Sequence, residues 1–98
     1  MADKLTVVAR IKAKDGMAEQ VKGELTALIG PTREEPDCIS YVLHQSAEDP
    51  HVFLFVENWT SKAALDAHLQ KPHLQAFVAK ADGLLAEPLD VSLWNEIG

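Results

Sequence analysis

The segment Val52–Trp59 is the most apolar run in the chain, and both of its alternating faces are mainly apolar. Phe53, Phe55, Glu57 and Trp59 share one side, and Val52, Leu54, Val56 and Asn58 share the other. A strand with this pattern belongs inside a sheet that is covered on both faces. Any fold proposed for this sequence must supply two covers.

The flanking segments supply one. Leu5, Val7, Ala9 and Ile11 alternate with Thr6, Val8, Arg10 and Lys12, which is strand periodicity, and Asp15-Gly16 punctuates its end. Met17, Val21, Leu25, Leu28 and Ile29 then form one helical stripe, which Gly30-Pro31 is expected to stop. Residues 32–37 are polar, carry Pro36 and read as loop. Cys38–Gln45 reads as a second strand, with Ile39, Tyr41 and Leu43 on one face and Val42 and His44 on the other. Residues 46–51, with Asp49-Pro50, have the length of a hairpin connection into Val52–Trp59. Thr60-Ser61 offers a capping hydroxyl for a short helix over residues 63–69 that carries His68. Pro72 suits the first turn of a renewed helix with Leu74, Phe77, Val78, Ala81 and Leu85 inward, closed at Gly83 or near Glu87-Pro88. Residues 89–95 form the last strand, with Leu89, Val91 and Leu93 opposite Ser92 and Trp94.

Strand, helix, strand, strand, helix, strand, with a hairpin between the second and third strands, predicts an α+β ferredoxin-like βαββαβ plait with an antiparallel sheet. Its two helices cover only one face. Val8, Trp94 and the second side of Val52–Trp59 then remain for the other, and a second copy packed sheet to sheet is the simplest cover. The expectation is a homodimer.

The 98 residues fit a single domain, 1–98, that buries roughly two thirds of its unfolded surface. Nine basic residues against fifteen acidic give a net charge of −6 with no basic cluster, so nucleic acid is not expected as a partner. No apolar run approaches the length of a membrane span, and Met1-Ala2-Asp3-Lys4 leads straight into strand pattern without a signal-like leader. Cys38 is the only cysteine, which leaves no internal disulfide and suits a reducing compartment. The expected location is the cytoplasm, with no membrane partner.

The sequence lacks a Gly-rich phosphate loop, an HExxH helix, paired cysteines and a nucleophile elbow, so no cofactor or metal is expected. What remains is a set of polar residues among apolar ones: Tyr41, His44, Glu57, Asn58, Trp59, His68 and His73. Glu57 shares a strand face with Phe53, Phe55 and Trp59, where a carboxylate is either at a wet strand end or desolvated with a raised pKa. His68 falls on or near a buried helical stripe. His73, five residues on across Pro72, does not make the i, i+4 pair that chelates a metal, and no spacing enforces ligation by His44, His68, His73 and Glu57.

The run Glu35-Pro36-Asp37-Cys38-Ile39-Ser40-Tyr41 is similar to the Glu-Pro-Gly-Cys-x-x-Tyr lead-in of the antibiotic biosynthesis monooxygenase family. His44, Asp49-Pro50, Phe53, Glu57-Asn58-Trp59, Ser61, Ala64-Leu65, His68, His73 and Phe77 continue the resemblance over residues 35–77. Asp37 stands where the family commonly has Gly, a departure that touches only the local loop. The resemblance implies a dimeric α/β barrel with a pocket in each subunit between sheet and helices. It also implies monooxygenase chemistry on a quinol or related phenol, with dioxygen and without metal or flavin.

That chemistry asks for a base, because a phenolate passes an electron to dioxygen far more readily than a phenol. His44, His68 or His73 could serve, with Glu57 as a further acid or base. Phe55 and Trp59 would hold an aromatic substrate, and Asn58, Tyr41 or Arg33 would stabilise an oxyanion. Relatives in the wider superfamily include a phosphosugar isomerase and haem-degrading enzymes. An acid/base isomerase of a small metabolite, a non-catalytic ligand-binding barrel and a haem site on His68 or His73 therefore stand as alternatives.

Overall fold

Strand β1 (Leu5–Lys12) runs antiparallel to β3 (Val52–Trp59), from Leu5 opposite Trp59 to Lys12 opposite Val52. Strand β2 (Cys38–Gln45) lies on the other side of β3, and β4 (Asp90–Trp94) lies outside β1, giving the order β2-β3-β1-β4. The computed structural model describes residues 4–98, so the reading of Met1, Ala2 and Asp3 as a lead-in falls outside the described residues. Helices α1 (Ala18–Ala27), α2 (Ile29–Arg33), α3 (Lys62–Leu69) and α4 (Pro72–Leu84) complete the α+β plait. No helix among the described residues is long and apolar enough to cross a membrane.

The alternation of β1 and β3 decides where the core sits. Val7, Ala9 and Ile11 meet Phe53, Phe55, Glu57 and Trp59 on one face, and every one of these is buried. Val21 and Leu25 of α1, Leu65 of α3 and Leu74, Phe77 and Leu84 of α4 close over that face. Burying each large side chain is worth about 1.5–3 kcal/mol, which is why the apolar stripes dictate the layering. The opposite, outer face carries Thr6, Val8, Val42, Leu54, Val56 and Trp94, none of them buried within this chain.

Local chemistry sets the joins. Gly16, at φ +82°, makes the turn from β1 into α1, a left-handed conformation that a side chain would strain. Ser61 accepts a hydrogen bond from the Ala64 N–H at 3.1 Å and caps α3. Pro72 is the first residue of α4, where its missing N–H costs nothing.

Four details correct the expectations drawn from sequence. Gly30-Pro31 does not stop the helical path. The break comes earlier, at Leu28, and α2 starts there with Pro31 in its first turn, where no N–H is required. Thr32, expected in a loop, is consequently buried in α2. Ile39 does not share the inner face with Tyr41. The register slips between Cys38 and Ser40, so Cys38 pairs with Trp59 and Ser40 with Asn58. Ile39 is the extra residue and is 54% exposed. Helix α4 buries Leu74, Phe77 and Leu84 but leaves Val78 exposed at the margin of the stripe, and it runs through Gly83. Strand β4 is shorter than expected, ending at Trp94.

Candidate functional site

Between the inner face of the sheet and the helices lies a narrow cavity of about 30 Å3. Its polar lining comes from three residues, Tyr41 of β2, Glu57 of β3 and His68 of α3, among walls that are otherwise aliphatic and aromatic, such as Phe55, Leu65 and Phe77. Among the described residues, no Lys or Arg lines it. Tyr41 and Glu57 are direct cross-strand partners, because the bulge at Ile39 returns Tyr41 to the inner face. His68 reaches the same space from above, one turn beyond Ala64 and Leu65 on the buried side of α3.

Aromatic contacts hold these groups. Tyr41 stacks on Phe55 with centroids 4.3 Å apart and meets the His68 ring edge-on at 5.7 Å. Trp59 packs against His68 at 4.5 Å. Trp59 Nε1 also donates to Glu57 Oε1 at 2.9 Å. Burial pushes the Glu57 carboxyl up to about 7; the Trp59 hydrogen bond opposes the shift and the charge of Glu35 adds to it. Burial holds the His68 imidazole below its ordinary value, while Glu35 pulls it back. The Tyr41 hydroxyl is held far above an ordinary phenol by burial first and by the Glu57 carboxylate second. Thr32 works the other way on Tyr41, but no hydrogen bond of ordinary geometry joins them. Thr32 Oγ1 is a buried polar atom with no partner among the described residues.

Behind the cavity wall lies a second cluster. His68 Nδ1 is 2.7 Å from Glu35 Oε2, and His73 Nε2 is 3.0 Å from the same oxygen. These donor atoms all lie within 4.8 Å of one another, close enough to be drawn round a small cation. The hydrogen bonds account for the convergence without one.

The nine residues singled out in the sequence therefore separate. Tyr41, Phe55, Glu57 and His68 line the cavity. Trp59 stands directly behind, fully buried, and His73 connects through Glu35. Arg33 is not at the cavity; its Nε and Nη2 donate to the Tyr41 carbonyl at 3.1 and 2.9 Å and tie α2 to the edge strand. His44 and Asn58 lie on the outer face of the sheet. Asn58 there accepts from Thr6 Oγ1 at 2.7 Å and donates to Ser40 Oγ at 2.9 Å. A two-residue period puts neighbours on opposite faces, so Asn58 cannot join Glu57 and Trp59. Glu35 is not among the nine, although it joins His68 to His73; the sequence signal for it is its place in the Glu-Pro run just before the bulged strand.

A sequence profile described as antibiotic biosynthesis monooxygenase matches residues 4–80. The chain belongs to this family. An uncharacterized Synechocystis protein, sll1783, is 37% identical over 93 residues, 95% of this chain; the chain spans 63% of that relative's length. An Escherichia coli protein named "Probable quinol monooxygenase YgiN" is 35% identical over 94 residues, covering 85% of this chain and 89% of its own. Among solved structures, PA3566 from Pseudomonas aeruginosa superposes with a TM-score of 0.94 at 35% identity, covering 100% of this chain and 98% of that one. The family and the fold are thus fixed on both sequence and structure.

Proposed function

We propose that the chain is a cofactor-independent monooxygenase that deprotonates a small quinol or phenol in the cavity and lets the resulting anion react with dioxygen. One observation supports this reading above all. A base held largely neutral by burial, His68, and a carboxyl raised to about 7, Glu57, face one apolar space. Groups tuned towards neutrality are what proton transfer near pH 7 requires. For a hydroquinone the overall change balances as quinol plus dioxygen giving hydroxyquinone plus water. One oxygen atom enters the ring, and the other takes up two protons as water. His68 receives the phenolic proton, Glu57 exchanges a second, and Phe55 and Phe77 form the apolar bed for the ring. The name carried by the Escherichia coli relative agrees with a quinol as the substrate class.

A cavity of about 30 Å3 holds on the order of one water molecule, far below the roughly 300 Å3 of a ligand site. Substrate binding in this reading therefore displaces α3 and α4 from the sheet. The Gln70-Lys71 junction between them is where such a movement would hinge.

The site is proposed to work in a homodimer. Val42 is 43% exposed and Trp94 57% exposed on the outer face, beside Val8, Leu54 and Val56. A second copy of the same face is self-complementary under two-fold symmetry and would remove this apolar area from water.

An isomerase acting on a phosphorylated metabolite gains no support from the cavity, whose lining contains no Lys or Arg. The deciding experiment is oxygen uptake by chelator-treated protein with a panel of quinols. Uptake above the autoxidation background supports the proposal; none with any member of the panel overturns it.

A further inference from the structure

Glu35 is the group on which two of the three candidate histidine bases converge. A single oxygen, Oε2, accepts from His68 Nδ1 at 2.7 Å and from His73 Nε2 at 3.0 Å. Side-chain exposure falls along the row from 20% at His73 through 8% at Glu35 to 2% at His68. The row thus runs from the protein surface to the cavity wall. A buried carboxylate is costly unless it is hydrogen-bonded, and here two ring N–H groups supply the bonds.

The chemistry of this contact restricts His68. A carboxylate oxygen only accepts, so the ring nitrogen facing it must carry the hydrogen. A neutral imidazole with hydrogen on Nδ1 has its lone pair on Nε2. His68 lines the cavity, and Nε2 makes no protein hydrogen bond among the described residues. We propose that Glu35 is the positioning residue of the cavity base: Oε2 fixes His68 as the Nδ1–H tautomer with its Nε2 lone pair towards the cavity, while His73 anchors the carboxylate from the outer side. The inference rests on the reading of His68 as the base and adds the residue that orients it.

The arrangement has an electrostatic consequence. When His68 takes a proton, the new positive charge lies 2.7 Å from Glu35 Oε2, which stabilises it against the burial that opposes it. His73, when charged, and Lys71 act on His68 in the opposite sense. Among the described residues Glu35 is therefore the one acidic group pulling His68 towards protonation, and removing its charge should lower the basicity of the ring.

The test is long-range 1H–15N NMR of the imidazole rings in the labelled full chain, with His44→Gln used to assign the exposed outer-face ring. In the wild-type protein the neutral His68 ring is expected as the Nδ1–H tautomer. In Glu35→Gln, which keeps an accepting oxygen and loses the charge, the His68 titration midpoint should fall by about one pH unit, a tenfold loss of basicity. A wild-type His68 found mainly as Nε2–H overturns the proposal, as does an unmoved midpoint in Glu35→Gln. The wild-type tautomer needs no variant and decides the matter even if Glu35→Gln does not fold. Oxygen uptake is read separately: wild-type protein without uptake defeats the monooxygenase reading and leaves the tautomer result standing. Where turnover is measured, Glu35→Gln should lower kcat by about 10- to 100-fold with KM nearly unchanged.

Discussion

Trp59 and Glu57 stand two residues apart on the buried face of β3, and the indole Nε1 of the first donates to the carboxyl of the second at 2.9 Å. The bond gives an otherwise expensive buried carboxyl a partner without giving it a counter-charge. It leaves Glu57 protonatable near neutrality.

The first prediction concerns stability against pH. Moving a carboxyl from its ordinary 4.5 to about 7 favours the protonated form in the folded state by about 3 kcal/mol. Because the folded value lies above the unfolded one, the contribution is complete below pH 4.5 and is lost as pH rises through about 7. Glu57→Gln should remove this loss, so urea unfolding at pH 5 and pH 8 should show a smaller pH dependence in the variant. Trp59→Phe should push Glu57 higher still, since the indole bond now holds it down.

The second prediction sorts the histidines by sheet face. His44→Gln alters a side chain on the outer face and should leave quinol-dependent oxygen uptake within about twofold of wild type. His68→Gln preserves size and a donor for Glu35 but removes the base, and should cost about 100- to 10,000-fold. Equal losses in the two variants would contradict the placement of the site.

These contrasts also locate what could be read without a structure. The alternation in β1 and β3 groups Val7, Ala9 and Ile11 on one side and Phe53 and Phe55 on one side, but with both faces of β3 apolar it does not say which of them the helices cover. The same rule separates Asn58 from Glu57, once the inner face is known. The inner position of Tyr41 depended on a bulge at Ile39, and a one-residue slip is invisible to periodicity. The break at Leu28 was hidden because Gly30-Pro31 is an equally good stop and a good first turn. Glu35 stands in the sequence only as the start of the family-like run, because it lies on no periodic element; the distances to His68 and His73 are what bring it beside the cavity wall.

A third prediction tests how α3 is held. Ser61→Ala removes the cap on the Ala64 N–H and should cost about 1 kcal/mol, seen as a lower unfolding midpoint at unchanged slope. Since the Ser61 side chain bonds only the Ala64 N–H among the described residues, the folded variant should keep its turnover.

The outer face gives a fourth. Val42→Lys and Trp94→Lys place charge where a second sheet is proposed to pack, on side chains already 43% and 57% exposed in this chain. Sedimentation should show a shift from dimer to monomer with little change in far-ultraviolet circular dichroism. A wild-type protein that is monomeric at every concentration would remove the dimer.

Deprotonation of a quinol in the space between Glu57 and His68, as proposed, can be checked in a crystal structure with a bound, redox-inert quinol analogue. The expected result is α3 and α4 moved away from the sheet, the ring lying among Phe55, Leu65 and Phe77, and a hydroxyl within hydrogen-bond distance of His68 Nε2. An analogue bound instead on the outer face beside His44 and Asn58, with the inner cavity closed, would contradict it.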